Sequence, residues 1–192
     1  MENDRVITIS TANSRLAKYW QPQEGLWSEF AKRLEHSVRG SETIQEYLKL
    51  PRDKQDELKD IGGFVGGAFA ENRRMKQNCL GRSICTIDID HIPEAMLHTA
   101  LEIMMQLNCV YAAYSTRKHH SKAPRLRLVI PLNRDATADE YEQLIRIVAG
   151  VSGLLPFSDP TSFKVNQLMY WPSHCADVTP VYACTTAYIP RV

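Results

Sequence analysis

The sequence predicts a mixed α/β fold of the α+β type, with a core that alternates strands and helices in the order β-α-β-β-α-β. Short apolar, β-rich runs occupy residues 84–89, 109–115, 126–131 and 167–171, and their length and composition are typical of strands. After the first and the third run, apolar residues return every three or four positions, as in amphipathic helices. We therefore expect one sheet with two helices packed against it.

Residues 1–60 are predicted to form an N-terminal strand and a helical appendage to this core. A short strand at residues 6–9 precedes a turn-rich connection at residues 20–25. Two helices follow, the second capped by Ser41, and the mixed charges of residues 52–60 are typical of a solvated helix face. The inward-facing residues are Trp27, Phe30, Leu34 and Val38 in the first helix and Ile44, Tyr47 and Leu48 in the second.

A glycine-rich segment at residues 61–67 begins the predicted core. Its two glycine pairs indicate a tight turn between strand segments, or a backbone that a phosphate group can approach closely. Neither a P-loop nor a dinucleotide-binding fingerprint is present. Cationic residues follow with only Glu71 as a local acid, and they favour either an anionic partner such as nucleic acid or an exposed hairpin. These residues are Arg73, Arg74, Lys76 and Arg82.

The two core helices have clear boundary signals. Pro93 opens the first helix. Thr137 and Glu140 form a capping box ahead of the second helix, and Gly150 is predicted to close it. The apolar face of the first helix is formed by Met96, Leu97, Ala100, Leu101, Met104 and Leu107. The resulting order of elements is the split ferredoxin-like arrangement, which RNA-recognition modules also use.

This topology predicts which loops meet. In the usual sheet order, strand one lies between strands three and four and is antiparallel to both. The C-terminal end of strand one should then lie beside the loops at residues 115–125 and 157–166. We expect the core to span residues 61–175 and a C-terminal tail to span residues 176–192.

Two aspartates end the first core strand. Asp88 and Asp90 are two residues apart and therefore point to the same side of a strand. Two adjacent carboxylates repel each other unless a cation lies between them or one takes up a proton. A divalent metal resolves this repulsion, although Asp90 could instead cap the helix that Pro93 opens.

The two loops add cations and a third carboxylate. Residues 115–127 contain five cationic residues and no acid, and alternation places Arg125 and Arg127 on one face, where they could bind phosphates. His119 suits a phosphate contact better than a zinc site, because no third ligand stands at zinc spacing. Asp159 is either a turn former or the third carboxylate of a site for two divalent ions about 3.5–4 Å apart.

Composition limits the remaining function classes. The 192 residues suit one domain, and the formal net charge of +1 gives no global attraction to polyanions. Five cysteines without a C-x-x-C pair favour reduced thiols in an intracellular protein. Neither a signal peptide nor a membrane-spanning apolar run is apparent, so we expect a cytoplasmic protein without a membrane partner.

Several ordered segments resemble the archaeo-eukaryotic primase (AEP) superfamily. The similarity is to the primase domain of phage and mobile-element replication proteins, in the group described as virulence-associated protein E-like. It extends over most of the chain. The segments that carry it are residues 64–67, 86–90, 114–119, 124–132 and 168–173, together with residues 27–30.

This resemblance implies roles for individual residues. Asp88 and Asp90 match the hhhDhD metal motif, Asp159 matches the third acidic motif, and His119 matches the histidine that contacts the phosphates of the incoming nucleotide. The implied nucleotide-binding set is Ser115, His119, Arg125 and Arg127, and the expected nucleic-acid contacts are Arg73, Arg74, Lys76, Arg82, Lys118 and Lys122. Gln167 and Val165 depart from the family pattern, which has arginine and proline there.

The resemblance implies a primase or primase-polymerase that uses two Mg²⁺ or Mn²⁺ ions. Its expected partners are a single-stranded DNA template, NTP or dNTP, and a replicative helicase in cis or in trans. Two alternatives stay open: a catalytically inert RRM-like module that binds single-stranded nucleic acid, and a metal-dependent nuclease. RRM-like binding relies on exposed aromatic residues, and only Tyr170 and Trp171 are candidates here.

Overall fold

The computed structural model describes residues 4–90 and 92–185 as a mixed α+β fold with antiparallel sheets and five helices. The strands are β1 (Val6–Ala12), β2 (Gln21–Leu26), β3 (Val38–Arg39), β4 (Gly63–Val65), β5 (Gly67–Phe69), β6 (Cys79–Ile89), β7 (Tyr111–Ser115), β8 (Leu126–Ala136), β9 (Met169–Tyr170), β10 (Ser173–His174) and β11 (Tyr182–Thr185). The helices are α1 (Trp27–Glu35), α2 (Ile44–Lys49), α3 (Arg52–Lys59), α4 (Leu97–Met105) and α5 (Ala138–Val151). In the part of the chain that is described, none of these helices has the length and apolarity needed to cross a membrane.

Two antiparallel sheets organise the chain. The larger has the order β11-β7-β8-β6-β5, and the smaller has the order β2-β1-β4-β9. Strands β3 and β10 form a separate parallel pair. The larger sheet is therefore a central layer, and other elements pack against both of its faces.

Each face of the larger sheet has its own core. Ile87 and Leu128 point to one face, where they belong to the same apolar cluster as Ile145 of α5. Ile84 and Val129 point to the other face, toward α1 and the smaller sheet. This division follows from strand alternation, because successive residues of one strand face opposite sides. The two cores fix the larger sheet between a helical layer and a sheet layer.

The glycine-rich segment carries the chain from one sheet to the other. β4 lies in the smaller sheet and β5 in the larger, with Gly66 between them. A Cβ atom on Gly66 would overlap the side chain of Ile84, and one on Gly67 would overlap the carbonyl oxygen of Gly81. The predicted tight turn between strand segments is confirmed. Residues 62–67 are buried, which leaves no surface there for a phosphate group.

The core helices begin largely as predicted. The hydroxyl of Thr137 accepts a hydrogen bond from the backbone N–H of Glu140, whose carboxylate accepts one from the N–H of Thr137. This confirms the capping box of α5. Pro93 precedes a 3₁₀ turn that leads into α4. The predicted stop at Gly150 is wrong, because α5 continues to Val151 and the positive φ of 74° occurs at Gly153.

The N-terminal predictions need four corrections, the first being that Leu48, predicted to face inward, is 45% exposed. The predicted connection at residues 20–25 is mostly strand β2, which pairs with β1 along one edge while its other side faces solvent. Its polar composition fits an edge strand, whose side chains stay exposed. Val38 does not extend α1 and is 53% exposed in β3. Helix α2 is capped by Thr43, whose hydroxyl accepts from the N–H of Glu46, instead of by Ser41.

Three of the four predicted core strands have the expected arrangement. β6 is antiparallel to β8, and β8 is antiparallel to β7. The fourth strand, β9, pairs with β4 in the smaller sheet, and β5 takes the expected place beside β6. The split ferredoxin-like, RRM-like sheet order is therefore not confirmed. β9 has only two residues, too few for local sequence to determine its pairing partner.

The predicted N-terminal helical appendage is also not confirmed. β1 and β2 complete the smaller sheet together with β4 and β9, so residues 4–60 contribute to the same packed layers as the rest. At the other end, β11 lies within the predicted tail and pairs with β7. Residues 186–192 of that tail lie outside the described residues.

Candidate functional site

A cleft of about 460 Å³ opens where β6 ends. As predicted, the end of β6 meets the loop that follows β7 and the loop that precedes β9, and α3 forms a further wall. The side chains around it are mostly polar or charged. They belong to Arg52, Lys59, Asp88, Asp90, Tyr114, Thr116, Arg117, Lys118, Arg125, Arg127, Asp159, Thr161, Gln167, Leu168, Tyr170, Trp171 and Ser173.

A cross-strand row of side chains forms the floor of the cleft. Asp88, Arg127 and Tyr114 occupy directly opposite positions on β6, β8 and β7, and opposite residues of antiparallel strands share a face. The guanidinium of Arg127 donates to both carboxylate oxygens of Asp88, at 2.5 and 3.1 Å. It also donates to the Tyr114 hydroxyl at 3.0 Å and to the Tyr170 carbonyl oxygen at 2.9 Å. Arg127 thereby joins the two sheets.

The ion pair of Arg127 and Asp88 is nearly out of contact with water, with side-chain exposures of 7% and 13%. Burial is the largest single influence and would lower the pKa of Arg127, but the charge of Asp88, the Tyr114 side chain and the hydrogen bonds to both together raise that pKa above its usual value. Arg127 therefore stays charged. Its four hydrogen bonds to the protein leave little of its donor capacity for a ligand. In this structure Arg127 is a structural residue.

Asp90 lies in a more open setting next to the same pair. Its carboxylate accepts a hydrogen bond of 2.8 Å from Arg125, and the two side chains are 26% and 29% exposed. Burial raises the pKa of Asp90, the negative charges of Asp88 and Asp159 add to this, and Arg125 and Arg127 oppose it. The three carboxylates therefore lie close enough to interact unfavourably.

Asp159 is held against the end of β6 by backbone hydrogen bonds. Its N–H donates to the Asp88 carbonyl oxygen at 2.8 Å, and the N–H of Asp90 donates to the Phe157 carbonyl oxygen at 3.0 Å. The Asp159 carboxylate accepts from the N–H and the hydroxyl of Thr161, at 2.9 and 2.7 Å. Asp159 therefore forms a turn and also lines the cleft.

The acidic residues fit a divalent cation in chemistry. Carboxylate oxygens are the ligands that Mg²⁺ and Mn²⁺ prefer, and one cleft contains all three aspartates. Each of these carboxylates, however, already accepts hydrogen bonds from protein donors. Within residues 4–90 and 92–185, no three His, Cys, Asp or Glu side chains are arranged to hold a metal ion together. The two divalent ions stay a prediction.

The cleft also holds cations, two of which, Arg125 and Arg127, are paired with Asp90 and Asp88. Its positive side chains come from helix α3, from the loop after β7 and from β8; they are Arg52, Lys59, Arg117, Lys118, Arg125 and Arg127. Arg117 is 6% exposed and forms an ion pair with Glu42. Burial lowers the pKa of Lys118, and the charges of Lys59, Arg125 and Arg52 lower it further. Cations therefore crowd one part of this cleft.

Two residues of the predicted nucleotide-binding set lie outside the cleft lining. His119 is 4% exposed, and its Nδ1 accepts a 3.1 Å hydrogen bond from the N–H of Arg125. Burial and the neighbouring His120 lower the pKa of His119, so its ring is neutral near pH 7 with the proton on Nε2. The hydroxyl of Ser115 is buried and accepts from the N–H of Val181.

The prediction that Arg82 contacts nucleic acid is wrong. Arg82 has no exposed surface and donates to the carbonyl oxygens of Gly66, Val165 and Ile84. Its guanidinium also lies 4.0 Å from the ring centroid of Tyr141. The side chain fixes the sheet crossing from inside the protein and cannot reach a polyanion.

The remaining predicted nucleic-acid contacts are dispersed. Arg74 is partly buried, donates to the Asn166 carbonyl oxygen at 2.9 Å and lies over the Trp20 ring. Arg73, Lys76 and Lys122 retain exposed surface but do not line the cleft. Only Lys118 of the predicted set does so.

Sequence reasoning did not predict that two further cations line the cleft, or that two aromatic residues line it with cations next to their rings. Arg52 and Lys59 stand in a stretch of mixed charge, where no local signal distinguishes a cleft wall from a solvated face. Tyr170 lines the cleft with Lys59 5.1 Å from its ring centroid. Trp171 also lines it, with the guanidinium of Arg33 3.6 Å from its ring centroid.

The chain was compared with protein families, curated proteins and solved structures. A family model described as the VapE N-terminal domain matches residues 1–189. Neither the curated proteins nor the solved structures contain a match to this chain.

Proposed function

The chain belongs to the VapE N-terminal domain family, and on that basis we propose that it is a metal-dependent nucleotidyltransferase of the AEP type that makes or extends a primer on single-stranded DNA. VapE proteins are associated with phages and mobile elements. One observation carries the proposal: three aspartates from two distant segments share a cleft with six cationic side chains. Nucleotidyl transfer needs both groups, one at the reacting oxygens and one at the phosphate chain.

The acidic side of the cleft would hold the metal. Asp88, Asp90 and Asp159 would hold Mg²⁺ or Mn²⁺, which would lower the pKa of the primer 3′-hydroxyl and neutralise the leaving pyrophosphate. Arg127 orients the Asp88 carboxylate, and Thr161 orients that of Asp159. Such supporting hydrogen bonds orient a carboxylate before a metal ion binds to it.

The cationic side would position the nucleotide. Arg125 makes a single hydrogen bond to Asp90 and is 29% exposed, so it retains donors for a phosphate oxygen. Positioning and charge neutralisation account for most of the catalysis in phosphoryl-group transfer. No covalent nucleophile is required.

A binding module without catalysis is the second candidate. It is favoured by the ion pairs that Asp88 and Asp90 already make with arginines. A cleft in which acids are neutralised internally can bind a nucleotide or a strand through its remaining cations without any metal.

Incorporation of labelled nucleotides on a single-stranded template with Mg²⁺ or Mn²⁺ tests the proposal. Asp90→Asn is the informative variant, because Asp90 and its partner Arg125 are 26% and 29% exposed and the fold should survive. We expect Asp90→Asn to lower incorporation about a hundredfold or more. Asp139→Asn is the matched control, since Asp139 is exposed and lies outside the cleft.

Three results would contradict the proposal, the first its assignment of Asp90 and the other two nucleotidyl transfer itself. Unchanged incorporation by Asp90→Asn would exclude this carboxylate from catalysis. Template binding by the wild type without incorporation under any metal condition would favour the binding module. Shortening of a labelled template instead of growth of a product would indicate a nuclease.

A further inference from the structure

Helix α3 presents two cations to the cleft. Arg52 is its first residue and Lys59 its last, and both line the cleft. A spacing of seven residues is two helical turns, so the two side chains lie on the same face, about 10 Å apart along the axis. Neither belongs to a motif that the sequence analysis singled out.

Three cations near α3 share one carboxylate, that of Asp56. The Asp56 carboxylate lies 2.7 Å from Lys59, 3.8 Å from Arg52 and 3.9 Å from Arg15. Lys118 lines the same cleft and makes no ion pair with any residue in the ranges 4–90 and 92–185. One carboxylate therefore serves several cations. Placing like charges together costs free energy unless an anion joins them.

The cleft has the dimensions of a small-molecule site. Its volume of about 460 Å³ lies within the range of about 300–1,000 Å³ that small-molecule pockets occupy. Tyr170, Trp171 and Leu168 line it beside the cations and add apolar surface to its wall. A phosphate chain joined to a base fits this combination better than a continuous strand, which needs a groove that extends past the cleft.

We propose that Arg52 and Lys59 of α3, together with Lys118, bind the phosphate chain of a nucleoside triphosphate. This inference rests on the proposed function, because it assigns the substrate-binding wall of the same cleft. It also gives α3 a functional role. The burial and crowding that lower the pKa of Lys118 agree with an anion-binding wall.

Calorimetric titration in EDTA tests the proposal without a metal. The probes are inorganic tripolyphosphate, ATP, ADP, AMP and a single-stranded DNA oligonucleotide. Arg52→Gln and Lys59→Gln are each expected to weaken ATP and tripolyphosphate binding about tenfold, which is the loss of one charge-assisted hydrogen bond. Lys54→Gln is the matched control, because it removes one charge from the same helix and Lys54 pairs with Glu57 outside the cleft.

A second measurement uses the unmodified protein. Saturating ATP should protect Lys59 and Lys118 from acylation of their amines, as measured by mass spectrometry, and should leave Lys54 reactive. Unchanged ATP affinity in both α3 variants, or equal reactivity of Lys59 and Lys54 with ATP bound, would overturn the proposal. So would α3 variants that lose affinity for the oligonucleotide alone.

The outcomes separate this inference from the proposed function. If the wild type incorporates nucleotides and Lys59→Gln leaves the KM for the nucleotide unchanged, the inference is wrong and nucleotidyl transfer stands. If ATP binding depends on Arg52 and Lys59 but no metal condition gives synthesis or cleavage, the inference stands and nucleotidyl transfer is wrong.

Discussion

Removing the Asp88 carboxylate should destabilise the protein far more than removing that of Asp90, although the two belong to one short motif. Arg127 is 6% exposed and gives two of its four hydrogen bonds to Asp88. Asp88→Ala leaves this guanidinium buried, charged and without a counter-ion. Asp90→Ala leaves Arg125 at the surface, where water replaces the lost partner.

The expected magnitudes follow from burial. Removing one partner of a buried ion pair costs about 3–5 kcal/mol, whereas an exposed pair contributes about 0–1 kcal/mol. For a chain of this length, 1 kcal/mol corresponds to about 2–4 °C in Tm. Asp88→Ala should therefore lower Tm by about 6–20 °C, and Asp90→Ala by less than about 4 °C.

Urea unfolding followed by circular dichroism in EDTA at pH 7 measures both free energies of unfolding. The double variant Asp88→Ala/Arg127→Met should recover much of the loss, because an apolar replacement leaves no unpaired charge. A difference of less than about 1 kcal/mol between Asp88→Ala and Asp90→Ala would refute the argument that burial decides the cost. If the argument holds, inactivity of Asp88→Ala reports folding as well as chemistry, and Asp90→Asn is the safer test of function.

Three further predictions test the fold. The hydrogen bond from Arg134 lowers the pKa of Glu140 to about 2, so the stability that Glu140 adds is present above pH 4.5 and is lost as the pH falls toward 2. Thermal melts of the wild type and Glu140→Gln should differ at pH 7 and converge near pH 2; a constant difference would contradict this. Gly67→Ala should cost about 1–3 kcal/mol in urea unfolding, because its Cβ would overlap the Gly81 carbonyl oxygen, and a neutral result would show that the strands can separate. Arg82→Met should cost at least about 2 kcal/mol in the same assay, because the carbonyl oxygens of Val165 and Ile84 lose a buried donor, and a loss below about 1 kcal/mol would contradict its structural role.

The parts of the fold that could be predicted from sequence depend on local signals. The capping box at Thr137 and the apolar runs of β6 and β8 are complete within a few residues, and each predicted its element correctly. β2 was missed because an edge strand gains its structure by pairing with β1, and the polar sequence Gln21–Leu26 carries no alternation. Which sheet β9 joins depends on distant β4, which no local pattern encodes.

The candidate site likewise has features that the sequence predicted and features that it could not predict. Alternation along one strand predicted that Asp88 and Asp90 share a face, and both line the cleft with Asp159. The sequence could not show that Arg127 would donate its hydrogen bonds to Asp88, because this pairing depends on the register between β6 and β8. Nor could it show which face of α3 meets the cleft, since Lys59 differs from its neighbours only in tertiary position.

The contrast between Arg125 and Arg127 shows that position in the sheet, and not residue type, decides which arginine keeps free donors. The two arginines are two residues apart in the chain, and both line the cleft. Arg127 lies inside the sheet, where its partners on both adjacent strands and the carbonyl of Tyr170 complete its hydrogen bonds. Arg125 precedes β8 and meets one protein partner, so its remaining donors face the cleft. Because the ends of strands and helices lack neighbours on one side, the cations that can bind a phosphate chain should lie at such ends, as Arg52 and Lys59 do at the two ends of α3.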